Sequence, residues 1–246
     1  MKWRRGSSFL LAMVFVFLSH SPAFSENYAG FGLGVSIPHD VTDFKGSDGT
    51  FDVTLTDFSP DSSLAFGFKV GHYFEALPFL GLEFNFSSSD PDVDKEKITA
   101  TITGTPGGVF TGQASGDFLG TADVSHLSTF GFLVMLRATE KQSKQYLFGL
   151  GPYLGLGFGV NLLDVDKATI FNTGGGFIAE TTGDSSAAVG FLLSAGLNYK
   201  LTDHVKAYGE YKYKEMNFEF DALDEGVKYE FDASESSLIF GLSYSF

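Results

Sequence analysis

A strict alternation of glycine with large apolar residues is the feature that most constrains this chain. The stretch FGLGPYLGLGFGV, residues 148–160, has glycine at positions 149, 151, 155, 157 and 159 and mainly Phe, Leu and Val between them. Period-two alternation indicates a β-strand, because successive side chains of a strand point to opposite faces of the sheet. One face of this segment is therefore bulky, and the other is nearly bare.

The same alternation recurs along the chain in segments of about ten residues, which is the length that a tilted strand needs to cross a hydrocarbon core. The predicted strands are Tyr28–Ile37, Leu64–Phe74, Leu80–Ser88, Ser128–Arg137, Tyr146–Asn161, Val189–Lys200, Val205–Lys214 and Leu238–Phe246. Eight such strands are enough to close a small barrel.

The chemistry of the two faces separates a membrane barrel from a soluble one. A soluble barrel packs its large apolar side chains inside, whereas here the less bulky face holds Gly, Ser, Asn, Tyr and charges of both signs. The interior of an eight-stranded barrel is only just wide enough for side chains, so the large aliphatic residues must point outward into lipid. The sequence thus predicts an all-β fold: an eight-stranded antiparallel transmembrane β-barrel with up-and-down topology.

The N-terminal segment has the pattern of a secretory signal peptide. Basic residues among the first five positions precede an apolar run at residues 9–18 and the tripeptide AFS at 23–25. That run is too short for a membrane-spanning helix, which needs about 20 residues. We therefore predict a signal peptide at residues 1–25 and an outer-membrane β-barrel domain at residues 26–246.

Connection lengths predict the orientation, because such barrels keep short turns in the periplasm and long loops outside the cell. The short connections are residues 75–79, 138–144 and 201–204, and the long ones are residues 39–62, 89–124, 163–185 and 215–235. One long segment contains ITATITGTPGGVFTG. This stretch either extends the barrel as a hairpin beyond the membrane or adds two spanning strands, and its Pro, Gly and Thr content favours the hairpin.

Charge is concentrated in the four long connections. They hold 24 of the 30 acidic residues against five basic ones, which gives them a formal charge of −19. Such a balance argues against nucleic acid as a partner. The acidic connections form either a solvated surface, a contact for divalent cations shared with lipopolysaccharide, or a binding surface for a basic or cationic ligand.

Several fragments resemble the OmpA/OmpX-like outer membrane protein β-barrel domain family. These fragments are GFKVGHYFEALPFLGLEFNF, YLFGLGPYLGLGFGV, GLNYKLTDHVKAYGEYKY and the C-terminal LIFGLSYSF. The resemblance implies a monomer in the Gram-negative outer membrane, in contact with its lipid and lipopolysaccharide, without a cofactor. It also implies that Leu242, Tyr244 and Phe246 form the C-terminal signal read by the barrel-assembly machinery. Members of the family serve as structural proteins, adhesins, host-interaction factors or narrow channels.

Charged residues on the predicted inner face are the candidate site. The alternation points Lys69, Glu83, Arg137, Glu210 and Lys212 inward. Charges within a membrane-spanning element are expected to be paired or functional. They form either a salt-bridge network that closes the lumen or, in a porin-like protein, a narrow ion path.

A catalytic alternative depends on His126 and Ser128, which lie two positions apart on one face of the fourth predicted strand. Their spacing resembles the H-x-S motif of the lipid A 3-O-deacylase family, but Thr129 stands where that motif continues with Asn. The nearest downstream carboxylate, Glu140, falls in a predicted periplasmic turn, which leaves the histidine without an orienting acid. We therefore predict no catalytic residues.

A calcium-binding alternative depends on the stretch DPDVDKE, which begins at Asp90. An EF-hand needs glycine at the sixth position and glutamate at the twelfth, where this sequence has Lys95 and Thr101. The sequence predicts no metal site of that class, and looser calcium binding by the acidic loops stays open.

Overall fold

The computed structural model describes residues 26–39, 42–47, 51–56, 60–104, 113–139, 141–143, 147–173, 177–221 and 228–246. The predicted signal peptide, residues 1–25, lies outside these ranges. No helix in the described part of the chain is long and apolar enough to span a membrane.

The described backbone is dominated by antiparallel strands. They are β1 (Glu26–Pro38), β2 (Thr42–Ser47), β3 (Phe51–Thr56), β4 (Ser63–Tyr73), β5 (Leu80–Ser89), β6 (Val93–Gly104), β7 (Gln113–Arg137), β8 (Leu150–Asn172), β9 (Phe177–Lys200), β10 (Val205–Asp221) and β11 (Lys228–Ser245).

Eight of these strands close a ring in the order β1-β4-β5-β7-β8-β9-β10-β11, and the ring closes because β1 pairs with both β4 and β11. The remaining three strands continue members of this ring. Thus β11 pairs with β1 as far as Pro38 and then with β2, while β7 pairs with β5 as far as Ser89 and then with β6. The prediction of an eight-stranded barrel is confirmed.

Much of what the sequence suggested to be long loops is strand. The segments 89–124, 163–185 and 215–235 contribute β6 and the outer parts of β7, β8, β9, β10 and β11. Residues 98–104 of the ITATITGTPGGVFTG stretch lie in β6, which pairs with β7 and extends the barrel without adding a spanning strand, and residues 105–112 lie outside the described residues. These extensions escaped the prediction because their polarity pattern differs from that of the lipid-facing strands.

The stagger of the strands follows from the pairing. The path of paired residues runs from Arg137 through Tyr153, Gly196, Glu210, Ile239, Gly34, Ala65 and Ser89 to Leu127. It returns to β7 ten positions from its start, between Arg137 and Leu127. For eight strands this stagger corresponds to a tilt of about 40° and a narrow interior.

Residues that face outward and inward differ as the sequence predicts. Phe68, Leu156 and Phe240 are 42%, 45% and 61% exposed on the outer surface, whereas Lys69 and Glu83 are 5% and 1% exposed in the lumen. This distribution excludes a soluble barrel for this part of the chain, because the aromatic and aliphatic side chains do not meet at its centre.

Glycine on the inner face makes room for tyrosine. A Cβ atom on Gly71 would overlap the ring of Tyr28, and one on Gly196 would overlap the ring of Tyr153. The bare face of these strands therefore accommodates large rings from the neighbouring paired strand, because Tyr28 is paired with Gly71 and Tyr153 with Gly196.

The connections at one end of the barrel are short, as predicted. The fifth predicted strand begins at Leu150 instead of Tyr146, because Phe148 and Gly149 adopt left-handed backbone conformations with φ of 54° and 87°. These two residues form the turn that precedes β8.

Candidate functional site

Four of the five predicted lumen charges form one cluster, which we call the ionic layer. Lys69 Nζ lies 2.7 Å from Glu210 Oε2 and 4.0 Å from Glu83 Oε2. Lys212 Nζ lies 3.4 Å from Glu210 Oε1. The ionic layer therefore joins β4, β5 and β10 across the lumen.

Tyrosine hydroxyls complete the ionic layer. Tyr28 donates a 2.6 Å hydrogen bond to Glu83, and Tyr153 donates a 2.8 Å hydrogen bond to Glu210. Lys69 donates to the Tyr153 hydroxyl at 3.2 Å, and its Nζ stands 3.8 Å from the centre of the Tyr208 ring. Because a buried charge is stable only when paired and hydrogen-bonded, these contacts allow the cluster to stay charged in a dry lumen.

The sequence does not reveal these hydrogen-bond partners of the tyrosines. Alternation does place Tyr208 on the same inner face as Lys206 and Glu210. Aromatic rings are also common in the interfacial girdle of membrane barrels, so the residue type alone does not separate a lumen tyrosine from a girdle tyrosine. A tyrosine that alternates in phase with the glycines of its strand is the one expected in the lumen.

Arg137 does not join the ionic layer, which corrects the prediction. Its guanidinium pairs with Glu26 at the end of the barrel that carries the short connections, where Lys206 pairs with the same carboxylate. Arg137 also lies 3.6 Å from the centre of the Tyr73 ring and donates to the Pro78 carbonyl at 2.9 Å. The stagger of the strands places Arg137 at the barrel end, too far along β7 to meet Lys69.

Glu26 lies outside the lipid-facing band, at the end of the barrel with the short connections. Burial alone would raise the pKa of its carboxyl, but the charges and hydrogen bonds of Arg137 and Lys206 outweigh burial and hold the pKa below its ordinary value. Sequence reasoning missed Glu26 because it precedes the first predicted strand.

A second polar layer lies on the side of the ionic layer that is remote from Glu26. Lys214 Nζ is 3.1 Å from Glu235 Oε1 and donates to Thr129 at 3.0 Å. Thr129 in turn donates to Asn161 at 2.8 Å, and Ser89 donates to Glu235 at 3.3 Å. Glu235 was assigned to a loop in the sequence, so its inward position became visible only in the structure.

Two small spaces lie inside the lumen between the described residues. A cavity of about 30 Å³ is lined by residues that include Tyr28, Lys69 and Arg137, and another of about 20 Å³ is lined by residues that include Lys212 and Lys214. One water molecule needs about 10–15 Å³ of such volume. Each cavity can hold one or two water molecules.

The three residues of the predicted assembly signal lie on the outer surface of β11 and just after it. Leu242, Tyr244 and Phe246 are 56%, 51% and 50% exposed. The Phe246 backbone N–H donates to the Asn27 carbonyl at 2.9 Å, so the C-terminus is attached to β1 beside the closing seam.

The prediction that His126 has no acidic partner is wrong. Its Nδ1 lies 2.9 Å from Asp90 Oδ1, so an acidic partner is present that the sequence did not reveal. His126 lies beyond the lipid-facing band, and the hydrogen bond that its imidazole donates to Asp90 raises the pKa of the imidazole. Ser128 Oγ, however, contacts Ser88 Oγ at 3.3 Å, and no hydrogen bond joins Ser128 to His126 among the described residues.

Calcium or other metal binding receives no support from geometry. The stretch that begins at Asp90 enters β6 at Val93, so most of it is strand instead of a cation-binding loop. Within the described residues, no group of three or more His, Cys, Asp or Glu side chains is arranged to hold a metal ion.

Comparison with protein families matches residues 8–246 to the outer membrane protein beta-barrel domain. The chain belongs to this family. It is therefore an outer-membrane β-barrel protein, as the alternation and the ring of strands indicate. No curated protein matches the chain.

Solved structures similar to this family member are themselves outer-membrane barrels. The neisserial surface protein A shares 13% identity with a TM-score of 0.49, and the match covers 90% of this chain and 97% of that one. OprG of Pseudomonas aeruginosa shares 15% identity with a TM-score of 0.45 and coverage of 90% and 96%. Ail, the attachment invasion locus protein of Yersinia pestis, shares 14% identity with a TM-score of 0.42 and coverage of 90% and 99%.

Proposed function

We propose that this protein is a monomeric structural and surface-interaction barrel of the outer membrane whose lumen is closed to solutes. The observation that carries the proposal is the environment of Lys69. Lys69 is 5% exposed, and its ammonium group contacts Glu210, Glu83 and Tyr153.

A narrow channel is the competing function. An ion path needs hydrated space and charges that exchange partners with passing ions. The lumen instead contains cavities of about 30 and about 20 Å³ beside charges that are already paired. The arrangement supports closure over conduction.

The outer ends of β10 and β11 support contact with cationic partners. Asn217 Nδ2 lies 3.3 Å from Glu230 and 2.8 Å from Asp232, and Glu215 and Glu219 are exposed on the same outward face. A surface rich in carboxylates attracts basic ligands, or divalent cations that also bind lipopolysaccharide phosphates. We propose that these carboxylates at the outer ends of β10 and β11 contact such partners at the cell surface.

Biogenesis forms the second part of the proposal. The segment at residues 1–25 directs export and is removed, and the barrel-assembly machinery recognises Leu242, Tyr244 and Phe246. Their exposure on the outer surface of the last strand supports this role, since a recognition signal must be accessible.

Reconstitution of the wild-type protein tests the closed lumen. We expect no single-channel steps in planar bilayers and no swelling of proteoliposomes in isotonic arabinose. Folding in both preparations is confirmed by heat-modifiable electrophoretic mobility. Reproducible conductance or sugar uptake by folded protein would contradict the closed scaffold and show that the protein is a channel.

A further inference from the structure

A cluster of apolar side chains lies inside the barrel beyond its lipid-facing band, on the side formed by β7 to β11. Its buried members are Val124, Leu127, Leu163, Ala188, Met216 and Phe218, and we call them the apolar plug. Phe218 is 1% exposed, and its ring centre lies 5.4 Å from that of Phe231 on β11. Strands β7 to β11 all contribute to the contact.

The plug exists because the polarity of the strands inverts. On β10 the inward side chain changes from Lys214 to Met216, while the outward side chain changes from Tyr211, 43% exposed, to Glu215, which is also exposed. The pairing of β10 with β11 is unbroken from Val205 to Asp221. Since the register does not shift, the change lies in composition and not in strand geometry.

Strand β8, which is separated from β10 by β9, shows the same inversion. On β8 the inward side chain changes from Asn161 to Leu163, and the outward one changes from Val160, 42% exposed, to the exposed Asp164. Outward polar and inward apolar residues are the pattern of a barrel surrounded by water. The inversion therefore marks the outer limit of the hydrocarbon, and the plug lies above it.

The plug directly follows the second polar layer along β7 and β10. Met216 is the next inward position after Lys214, and Leu127 is the next after Thr129. The plug therefore lies on the path between the ionic layer and the outer ends of strands β7 to β11.

We infer that the apolar plug is a second seal of the lumen, in series with the ionic layer and sufficient without it. An apolar constriction stops ions because they would lose their hydration without receiving replacement ligands. The inference rests on the proposed closed lumen and adds that two independent barriers maintain it. If the plug served only as a hydrophobic core for the outer strands, removal of the ion pairs in both polar layers would open the lumen.

Three variants and single-channel recording distinguish these cases. The first, the ion-pair variant, replaces the pairs of the ionic layer and of the second polar layer (Lys69→Ser, Glu210→Ser, Lys214→Ser and Glu235→Ser). The second, the plug variant, is Met216→Ser with Phe218→Ser, and the third combines all six substitutions. We expect no conductance from the ion-pair variant or from the plug variant, and discrete conductance steps from the combined variant. Conductance from the ion-pair variant or the plug variant alone, or silence of the folded combined variant, overturns the inference.

Matched controls keep the result interpretable. Asn217→Ser with Glu219→Ser changes the outward neighbours on β10, and combined with the ion-pair substitutions it should stay silent. If the serine plug variant does not fold, Phe218→Ala in the ion-pair variant replaces it, judged by the same criteria. Conductance by the wild type contradicts the closed lumen itself, whereas the plug inference is decided by comparison among the variants.

Discussion

Lys69 on β4 and Glu210 on β10 meet at 2.7 Å across the lumen although 141 positions separate them in the chain. Two strands of the ring, β1 and β11, lie between β4 and β10. The pair therefore forms only when the barrel is closed. This dependence makes the ionic layer a reporter of the complete fold.

Removal of Lys69 alone should destabilise the barrel strongly. Lys69→Ala leaves Glu210 and Glu83 buried without their ammonium partner, and breaking a buried pair in this way costs about 3–5 kcal/mol. The free energy of unfolding, measured by urea titration in lipid vesicles, should fall by that order. Lys69→Ala with Glu210→Ala should recover part of the loss, and a single variant as stable as the wild type would contradict the assignment.

Glu26 should make stability dependent on pH at the acidic end. Because its folded-state pKa lies below the ordinary value of about 4.5, its contribution is present above that value and is lost as the pH falls through the folded-state pKa. The difference in unfolding free energy between the wild type and Glu26→Gln should be clear at neutral pH and vanish in strong acid. A difference that is independent of pH would show that the Glu26 charge is not involved.

His126 should titrate at higher pH than an ordinary histidine, because Asp90 stabilises its protonated form. This favourable contact is fully present below the ordinary pKa near 6.5 and is lost as the pH rises through the elevated value. NMR titration of labelled His126 should show a lower pKa in Asp90→Asn. Ser128→Ala should leave the titration unchanged, and a shift in that variant would indicate a catalytic type of coupling.

Loss of the terminal aromatic ring should impair assembly in cells. We expect Phe246→Ala to reduce the fraction of heat-modifiable, folded protein in outer-membrane fractions. Phe240→Ala removes the same side chain from the same outward face of β11 and provides the control. Equal effects of the two substitutions would argue for general packing instead of recognition.

Single cysteines should map the polarity inversion, since the chain contains no cysteine. A membrane-impermeant maleimide added to intact cells should label Asn217→Cys, which lies beyond the proposed hydrocarbon limit. It should not label Tyr211→Cys within the lipid-facing band, and it should label Asp203→Cys only after the outer membrane is permeabilised. Labelling of Asp203→Cys in intact cells would show that the barrel has the opposite orientation in the membrane.

The sequence by itself determined the number of spanning strands, their inward and outward faces, and the burial of Lys69, Glu83 and Glu210. These features follow from local rules, because a strand alternates its side chains with period two and lipid accepts only apolar ones. The tertiary structure alone decided that Arg137 pairs with Glu26, that Lys214 meets Glu235, and that the plug follows above them. The physical reason is the stagger of the closed barrel, which sets the height of every inward residue and is not encoded in any single strand.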